Sequence, residues 1–124
     1  MEYFYVGMGG LLGAITRHAL GQALATRNRC DFPRGTFIIN LTGAFLFGLL
    51  VSEPAIGQRL GPHLFLALTT GFLGAYTTFS TFSCEVIRLL DDGQLFKALT
   101  YTASSISLGL LLAWFGHVFI LLSL

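Results

Sequence analysis

The sequence predicts an all-α integral membrane protein, a single domain of four transmembrane helices with the third broken in mid-membrane. Of its 124 residues, 54% are hydrophobic and only 10% are charged, whereas about 25% are charged in soluble domains. The apolar residues fall in four runs, each near the ~20 residues that cross ~30 Å of hydrocarbon. The predicted spans are 3–25, 36–52, 63–90 and 97–122.

The first span carries Arg17 among small residues. Gly10, Gly13 and Gly21 share a helical face with it. Small residues at this spacing allow another backbone to approach closely, and a charge is costly in lipid unless it faces protein or water. We therefore expect Arg17 to face a helix partner or a wet vestibule. Snorkelling toward the head groups is the alternative.

The second span places an amide on its small-residue side. Asn40 and Gly43 lie three residues apart and so share a helical face, which predicts that Asn40 looks inward. Its amide can line a polar path or bridge two helices through a hydrogen bond worth ~1 kcal/mol. The residues alone favour the bridging role.

The third span contains the run G-F-L-G-A-Y-T-T-F-S-T-F-S-C-E at 71–85. Glycine and threonine are poor residues for a helix interior, so we expect the helix to break between Gly74 and Thr78. A break in a membrane helix frees backbone groups, and it is tolerated only where protein or a cavity covers it. Freed carbonyls can bind a cation.

Rings and hydroxyl groups follow the predicted break. Phe79 and Phe82 stand three residues apart, with Ser80, Thr81 and Ser83 beside them. Positive ring edges and neutral donors suit a small anion, which they hold weakly enough to release. Aromatic pairs at helical spacing are more commonly core fillers, and the residues alone favour that interpretation.

The fourth span begins with a short hydroxyl stripe. Tyr101, Ser104 and Ser105 share one helical face, a pattern equally typical of tight helix packing. No span offers paired carboxylates or a nucleophile beside a base, so we predict no enzyme activity. A net charge of +1 without a basic block gives no indication of nucleic-acid binding.

Three motifs resemble one known family. They are G-G-L-L-G-A-I-T-R at 9–17, G-T-F-I-I-N-L-T-G at 35–43 and the run at 71–85. Together they resemble the Fluc (CrcB-type) fluoride ion channels, small four-helix proteins of bacterial and archaeal membranes. The resemblance covers nearly the whole chain. Its most specific part is T-T-F-S-T-F-S on the third span, downstream of G-T-x-x-x-N on the second.

The resemblance implies a passive channel that lets toxic cytoplasmic fluoride leak out across the cell inner membrane. It implies an antiparallel, dual-topology homodimer in the bilayer with two fluoride pathways. Carbonyls of Gly74 and Thr77 from both subunits would hold a structural Na⁺ at the dimer centre. Arg17 matches a vestibule arginine. The residues that match the fluoride pathway are Asn40, Phe79, Ser80, Thr81, Phe82, Tyr101 and Ser105.

The cationic residues are unevenly distributed between the two ends of the spans. Arg59 stands alone at one end, and the other end has Arg27, Arg29, Arg34, Arg88 and Lys97. The positive-inside rule then places the N-terminus outside. A homodimer of opposed subunits needs nearly balanced insertion, so an oppositely oriented homologue is the alternative partner. The homodimer remains the favoured prediction because the resemblance extends along the whole chain.

Two other functions compete with the channel. A small dual-topology exporter driven by protons would exchange them for a cationic drug at an acid deep in the bilayer. Glu85 lies three residues before Arg88, close enough on a helix to pair with it, which argues against this role. The third possibility is a non-conducting helical subunit of a larger complex.

Overall fold

The computed structural model describes residues 1–25, 32–52 and 54–123, and these ranges contain helices and no strands. The first two helices are α1 (Glu2–Ala23) and α2 (Arg34–Val51). A seven-residue helix, α3 (Pro54–Leu60), occupies the stretch between the second and third predicted spans. The remaining elements are α4 (Pro62–Leu66), a π-helical segment (Ala67–Leu73), α5 (Gly74–Tyr76), α6 (Phe79–Asp91) and α7 (Leu95–Ser123).

Two of the described helices are long and apolar enough to cross a membrane. They are α2 and α7, with mean hydropathies of 1.6 and 2.0 over their best windows. Only 6% of the α7 window is buried inside the chain. The core helix of a soluble protein would be mostly buried, so the exposed apolar surface of α7 is suited to contact with lipid.

Close backbone contacts hold the helices together. A Cβ atom at Gly9 would lie 2.0 Å from the carbonyl oxygen of Ala67, and one at Gly13 would lie 2.2 Å from that of Phe72. The same arrangement joins α2 to α7, where a Cβ at Gly48 would lie 2.1 Å from the Ala113 carbonyl oxygen. Small residues at helix interfaces permit such approach, so these glycines set the packing of both helix pairs.

The predicted break in the third span is present, at Thr77 and Thr78. Both residues have extended backbone angles, with ψ of 156° and 121°. Beyond them the Thr78 hydroxyl caps α6 by accepting from the Thr81 N–H at 3.3 Å, as threonine commonly does at this position. Gly93, with φ of 71°, ends the turn after α6, where a left-handed backbone favours glycine.

Candidate functional site

Asn40 of α2 forms two hydrogen bonds with the backbone at the break. Its Nδ2 donates to the carbonyl of Thr78 at 3.0 Å, and its Oδ1 accepts from the Thr78 N–H at 2.9 Å. One side chain of α2 therefore satisfies both backbone groups of an extended residue, which would be costly to bury unpaired. Asn40 faces inward as predicted. The second hydrogen of Asn40 Nδ2 takes no part in these two bonds.

The break also leaves two carbonyl groups without the N–H donors that an unbroken helix would give them. In an unbroken α-helix the N–H of Thr78 would bond the Gly74 carbonyl, and that of Thr81 would bond the Thr77 carbonyl. Here the two N–H groups donate to Asn40 Oδ1 and Thr78 Oγ1 instead. The carbonyls of Gly74 and Thr77 thus lose their helical donors. These are the carbonyls that the resemblance assigned to Na⁺.

Main-chain oxygens of this kind fit a hard cation. A Cβ at Gly74 would meet nothing within 4 Å, so the backbone there is open to the outside of the single chain. Across the described ranges there is no group of three or more His, Cys, Asp or Glu side chains that could hold a metal ion. The freed carbonyls are candidate ligands, and their role stays a prediction.

Helix α2 shapes the break at two further points. A Cβ at Gly43 would lie 2.3 Å from Thr77 Cγ2, so only glycine leaves room there for the threonine methyl group. The buried Tyr76 places its hydroxyl 2.8 Å from Thr42 Oγ1. Contacts at Asn40, Thr42 and Gly43 fix the direction in which α6 leaves the break.

The two predicted rings run from the surface toward the interior. Phe79 is 79% exposed, and its ring centroid lies 6.0 Å from that of Phe82. Phe82 continues inward to Tyr101 at 5.0 Å. The structure therefore brings these three predicted pathway residues into one aromatic row, of which Phe79 is the open end.

The hydroxyl groups on α6 and α7 differ in whether they have hydrogen-bond partners within the chain. Ser80 Oγ and Thr81 Oγ1 lie 3.3 and 3.0 Å from the Thr78 hydroxyl. Ser104 and Ser107 donate to backbone carbonyls one turn earlier. Ser105 Oγ is buried and has no hydrogen-bond partner among the described residues. Such orphaned hydroxyls are rare, and this distinguishes Ser105 from Ser104 and Ser107.

Glu85 is a site residue that the sequence analysis missed. Its carboxylate accepts from Thr36 Oγ1 and from the Tyr101 hydroxyl, each at 2.8 Å. We predicted a pair with Arg88, but the described residues contain no ion pair between the two, since both carboxylate oxygens point to these hydroxyls. We considered Glu85 only as a partner of Arg88, although an acid within a predicted membrane span is by itself a signal of function.

A cavity of about 500 Å³ opens beside the break. Of the predicted site residues it brings together Arg17 and Thr81, and Thr78 and Glu85 also line it. Arg17 thus shares a cavity with residues of α2 and α6, and its role in a vestibule stays a prediction. The predicted site residues outside its lining are Asn40, Gly74, Thr77, Phe79, Ser80, Phe82, Tyr101 and Ser105.

The chain resembles characterised families and proteins along most of its length. The family described as CrcB-like protein, Camphor Resistance (CrcB), matches residues 4–117. The fluoride-specific ion channel FluC 2 of Moorella thermoacetica is 49% identical over 116 residues, which cover 94% of this chain and 93% of that protein.

Two further relatives have similar coverage. The fluoride-specific ion channel FluC of Acidobacterium capsulatum is 46% identical over 95% of this chain and 94% of its own length. FluC 2 of Clostridium acetobutylicum, also named a fluoride-specific ion channel, is 45% identical over 94% and 96%. With its fold, its interrupted third helix and this coverage, the chain belongs to the CrcB-like family.

Proposed function

We propose that this protein is a fluoride-selective, passive ion channel that lets cytoplasmic fluoride leave the cell. The relatives that cover at least 94% of this chain at 45 to 49% identity are named fluoride-specific ion channels. One observation in the structure carries the proposal: the third helix is interrupted at Thr77 and Thr78, and rings and hydroxyls follow the interruption at once. Channels use interrupted helices to present backbone groups to ions. The names indicate a channel and not an enzyme, as the sequence predicted.

All four predicted spans cross the inner membrane in this proposal. Fifteen residues run from Pro62 through Tyr76, and α6 adds thirteen, so the two halves reach about 22 and 20 Å at most. Together they approach ~40 Å, longer than a hydrocarbon core of ~30 Å. The similar lengths of the two halves support a break near the middle of the bilayer.

A second copy of the chain covers the break. Gly74 and Phe79 are exposed on the single chain, yet irregular backbone does not face lipid within the hydrocarbon region. An antiparallel homodimer, as the resemblance implies, would bury both breaks against each other. An oppositely oriented homologue is the alternative partner, and the distribution of Lys and Arg keeps it open.

The same dimer supplies the ligands for a structural Na⁺. The carbonyls of Gly74 and Thr77 from each copy would hold it, since their helical donors are engaged elsewhere. When bound, the ion would supply positive charge that offsets the partial negative charge of these carbonyl oxygens. The role of this chain is to keep Thr77 and Thr78 extended, through Asn40 and Gly43.

Fluoride follows two pathways per dimer through neutral groups. The Arg17 cavity attracts the anion, and the hydroxyls of Thr81 and Ser80 then replace part of its hydration. The positive ring edges of Phe79 and Phe82 continue the path, and the unpaired Ser105 hydroxyl is a further donor. Because these groups carry no full charge, they release the ion as readily as they bind it.

The structure gives a reason to disfavour the proton-coupled exporter. Such a carrier needs an acid that takes up and releases protons as its substrate changes. Both oxygens of Glu85 accept hydrogen bonds, from Thr36 and Tyr101, and so the carboxylate is held within the fold. Passive conduction requires no such acid.

Fluoride efflux from liposomes tests the proposal. Purified protein is reconstituted into vesicles loaded with fluoride and chloride, and an ionophore compensates the charge. We expect rapid fluoride efflux without a proton gradient, with chloride largely retained. Efflux that requires a proton gradient would favour the exporter, and absence of any fluoride flux would overturn the channel.

A further inference from the structure

The cavity beside the break carries more positive charge than the predicted vestibule arginine provides. Arg17 from α1, Arg34 from α2 and Arg88 from α6 all line it. Across the described ranges, none of these three guanidinium groups has an acidic partner within 4 Å. Three helices therefore each contribute an arginine to the lining of one cavity.

Little negative charge opposes these arginines. Glu85 is the one carboxylate among the described residues that line the cavity, and its oxygens already accept from Thr36 and Tyr101. Among the described lining residues, the three arginines and Glu85 give a formal charge of +2. Helix α2 also begins at the cavity, and no side chain caps its N-terminus, which adds partial positive charge.

We propose that this cavity binds a phosphate group, either as free inorganic phosphate or on an anionic lipid, and that the bound group obstructs fluoride. The net positive charge of the described lining suits a phosphate anion, and guanidinium groups bind tetrahedral oxyanions through paired hydrogen bonds. The volume of about 500 Å³ far exceeds the ~30 Å³ of one water molecule, so a hydrated phosphate fits.

The path beyond the cavity explains why the phosphate stays. Past Thr81 the predicted pathway offers hydroxyls and ring edges, which cannot replace the strong hydration of a dianion. Phosphate therefore occupies the vestibule without following fluoride. The obstruction rests on the proposed channel function, whereas the binding of phosphate does not.

Phosphate titration of fluoride efflux tests the obstruction. Flux is measured in phosphatidylcholine vesicles as inorganic phosphate rises through the millimolar range, with chloride keeping the ionic strength constant because salt screens charge. We expect the flux to fall. Arg34→Gln and Arg88→Gln should each raise the phosphate concentration for half-inhibition about fivefold, since each removes one charge near the ligand.

Arg59→Gln is the matched control. Arg59 is exposed on α3 and does not line the cavity, so this variant loses the same charge elsewhere. Its half-inhibition by phosphate should equal that of the unmodified chain. Inhibition is expressed relative to the phosphate-free flux of each variant, which removes any effect of the arginines on fluoride itself. Equal shifts in all three variants would overturn the site.

A binding measurement separates this inference from the channel function. The phosphorus resonance of inorganic phosphate should broaden with detergent-solubilised protein, and less so with the Arg34→Gln/Arg88→Gln double variant. Broadening without any fluoride flux would support the site while the channel proposal fails. If phosphatidylglycerol in the vesicles lowers flux through the same arginines without free phosphate, the lipid is the source. Flux that neither source lowers, without broadening, would overturn the inference.

Discussion

Phe79 and Phe82 lie where the surface of the single chain meets its packed interior. We expect Phe79→Ile and Phe82→Ile each to reduce fluoride flux about three- to tenfold. The substitution roughly keeps side-chain volume but removes a ring edge, an interaction worth ~0.5–1.5 kcal/mol. Liposome efflux measures the effect. Phe96→Ile is the control, because Phe96 is 83% exposed in the first turn of α7. Unchanged flux in both ring variants would show that Phe79 and Phe82 only fill space between the helices.

Ser105 and Ser107 offer a comparison on one helix. Ser107 donates to the Ala103 carbonyl, whereas the Ser105 hydroxyl lacks a partner in the described part of the chain. Ser105→Ala should therefore leave thermal stability unchanged or slightly higher, because a buried unpaired group is removed. Its fluoride flux should fall about threefold, if one weak donor to the ion is lost. Ser107→Ala should keep its flux, and equal flux in the two variants would contradict a role for Ser105.

The sequence predicted some of these residues well and others not at all. Asn40 could be placed inward because Gly43 on the same face signals helix contact. The partners of Glu85 could not be predicted, since Thr36 and Tyr101 lie 49 and 16 residues away along the chain. Which side chains meet across helices depends on helix rotation, and local patterns do not determine it.

Among the secondary-structure elements, too, some features were predictable from the local sequence and others depend on tertiary contacts. Glycine and threonine propensities predicted a break between Gly74 and Thr78, but the extended residues are Thr77 and Thr78 because Asn40 pairs with the Thr78 backbone. The π-helical segment Ala67–Leu73 has no comparable local signal. It packs against the glycines of α1, so its geometry reflects tertiary contacts.

Contact between α2 and the break can be tested through one glycine. In Gly43→Ala the new methyl group meets Thr77 Cγ2 at 2.3 Å, far inside normal contact, so Thr77 must move its side chain or its backbone. Thr77→Ser deletes that methyl group and keeps the hydroxyl that donates to the Leu73 carbonyl. We expect Gly43→Ala to reduce flux about tenfold or more, since overpacking costs ~1–3 kcal/mol. The double variant Gly43→Ala/Thr77→Ser should recover most of it.

Gly109→Ala is the matched control, because nothing lies within 4 Å of a Cβ there. The sodium dependence of dimer stability gives a second measurement for the Gly43 pair. If the Thr77 carbonyl is a Na⁺ ligand, Gly43→Ala should require more sodium for the same dimer fraction, and the double variant should need less. Loss of flux in Gly43→Ala without rescue by Thr77→Ser would show that the contact is not the cause.

At the scale of the whole molecule, the interior of one chain is small. In the described part of the chain, the buried hydrophobic residues other than Ala67 form two separate clusters, one around Ile39 and Leu73, the other around Leu89 and Tyr101. Large apolar side chains cover much of the remaining surface, far more than an isolated soluble domain exposes. Lipid can cover most of this surface, but it cannot cover the open backbone at the break.

The orientation of the chain in the membrane decides between the two possible partners. Tyr3 in α1 and Phe96 in α7 are 92% and 83% exposed, and the predicted topology places them on opposite sides of the membrane. In a background of Cys30→Ser and Cys84→Ser, Tyr3→Cys and Phe96→Cys would be labelled in intact cells with a membrane-impermeant maleimide. An antiparallel homodimer contains equal numbers of both orientations, so each variant should label to about half. Full labelling of one position and none of the other would exclude the homodimer and favour an oppositely oriented homologue.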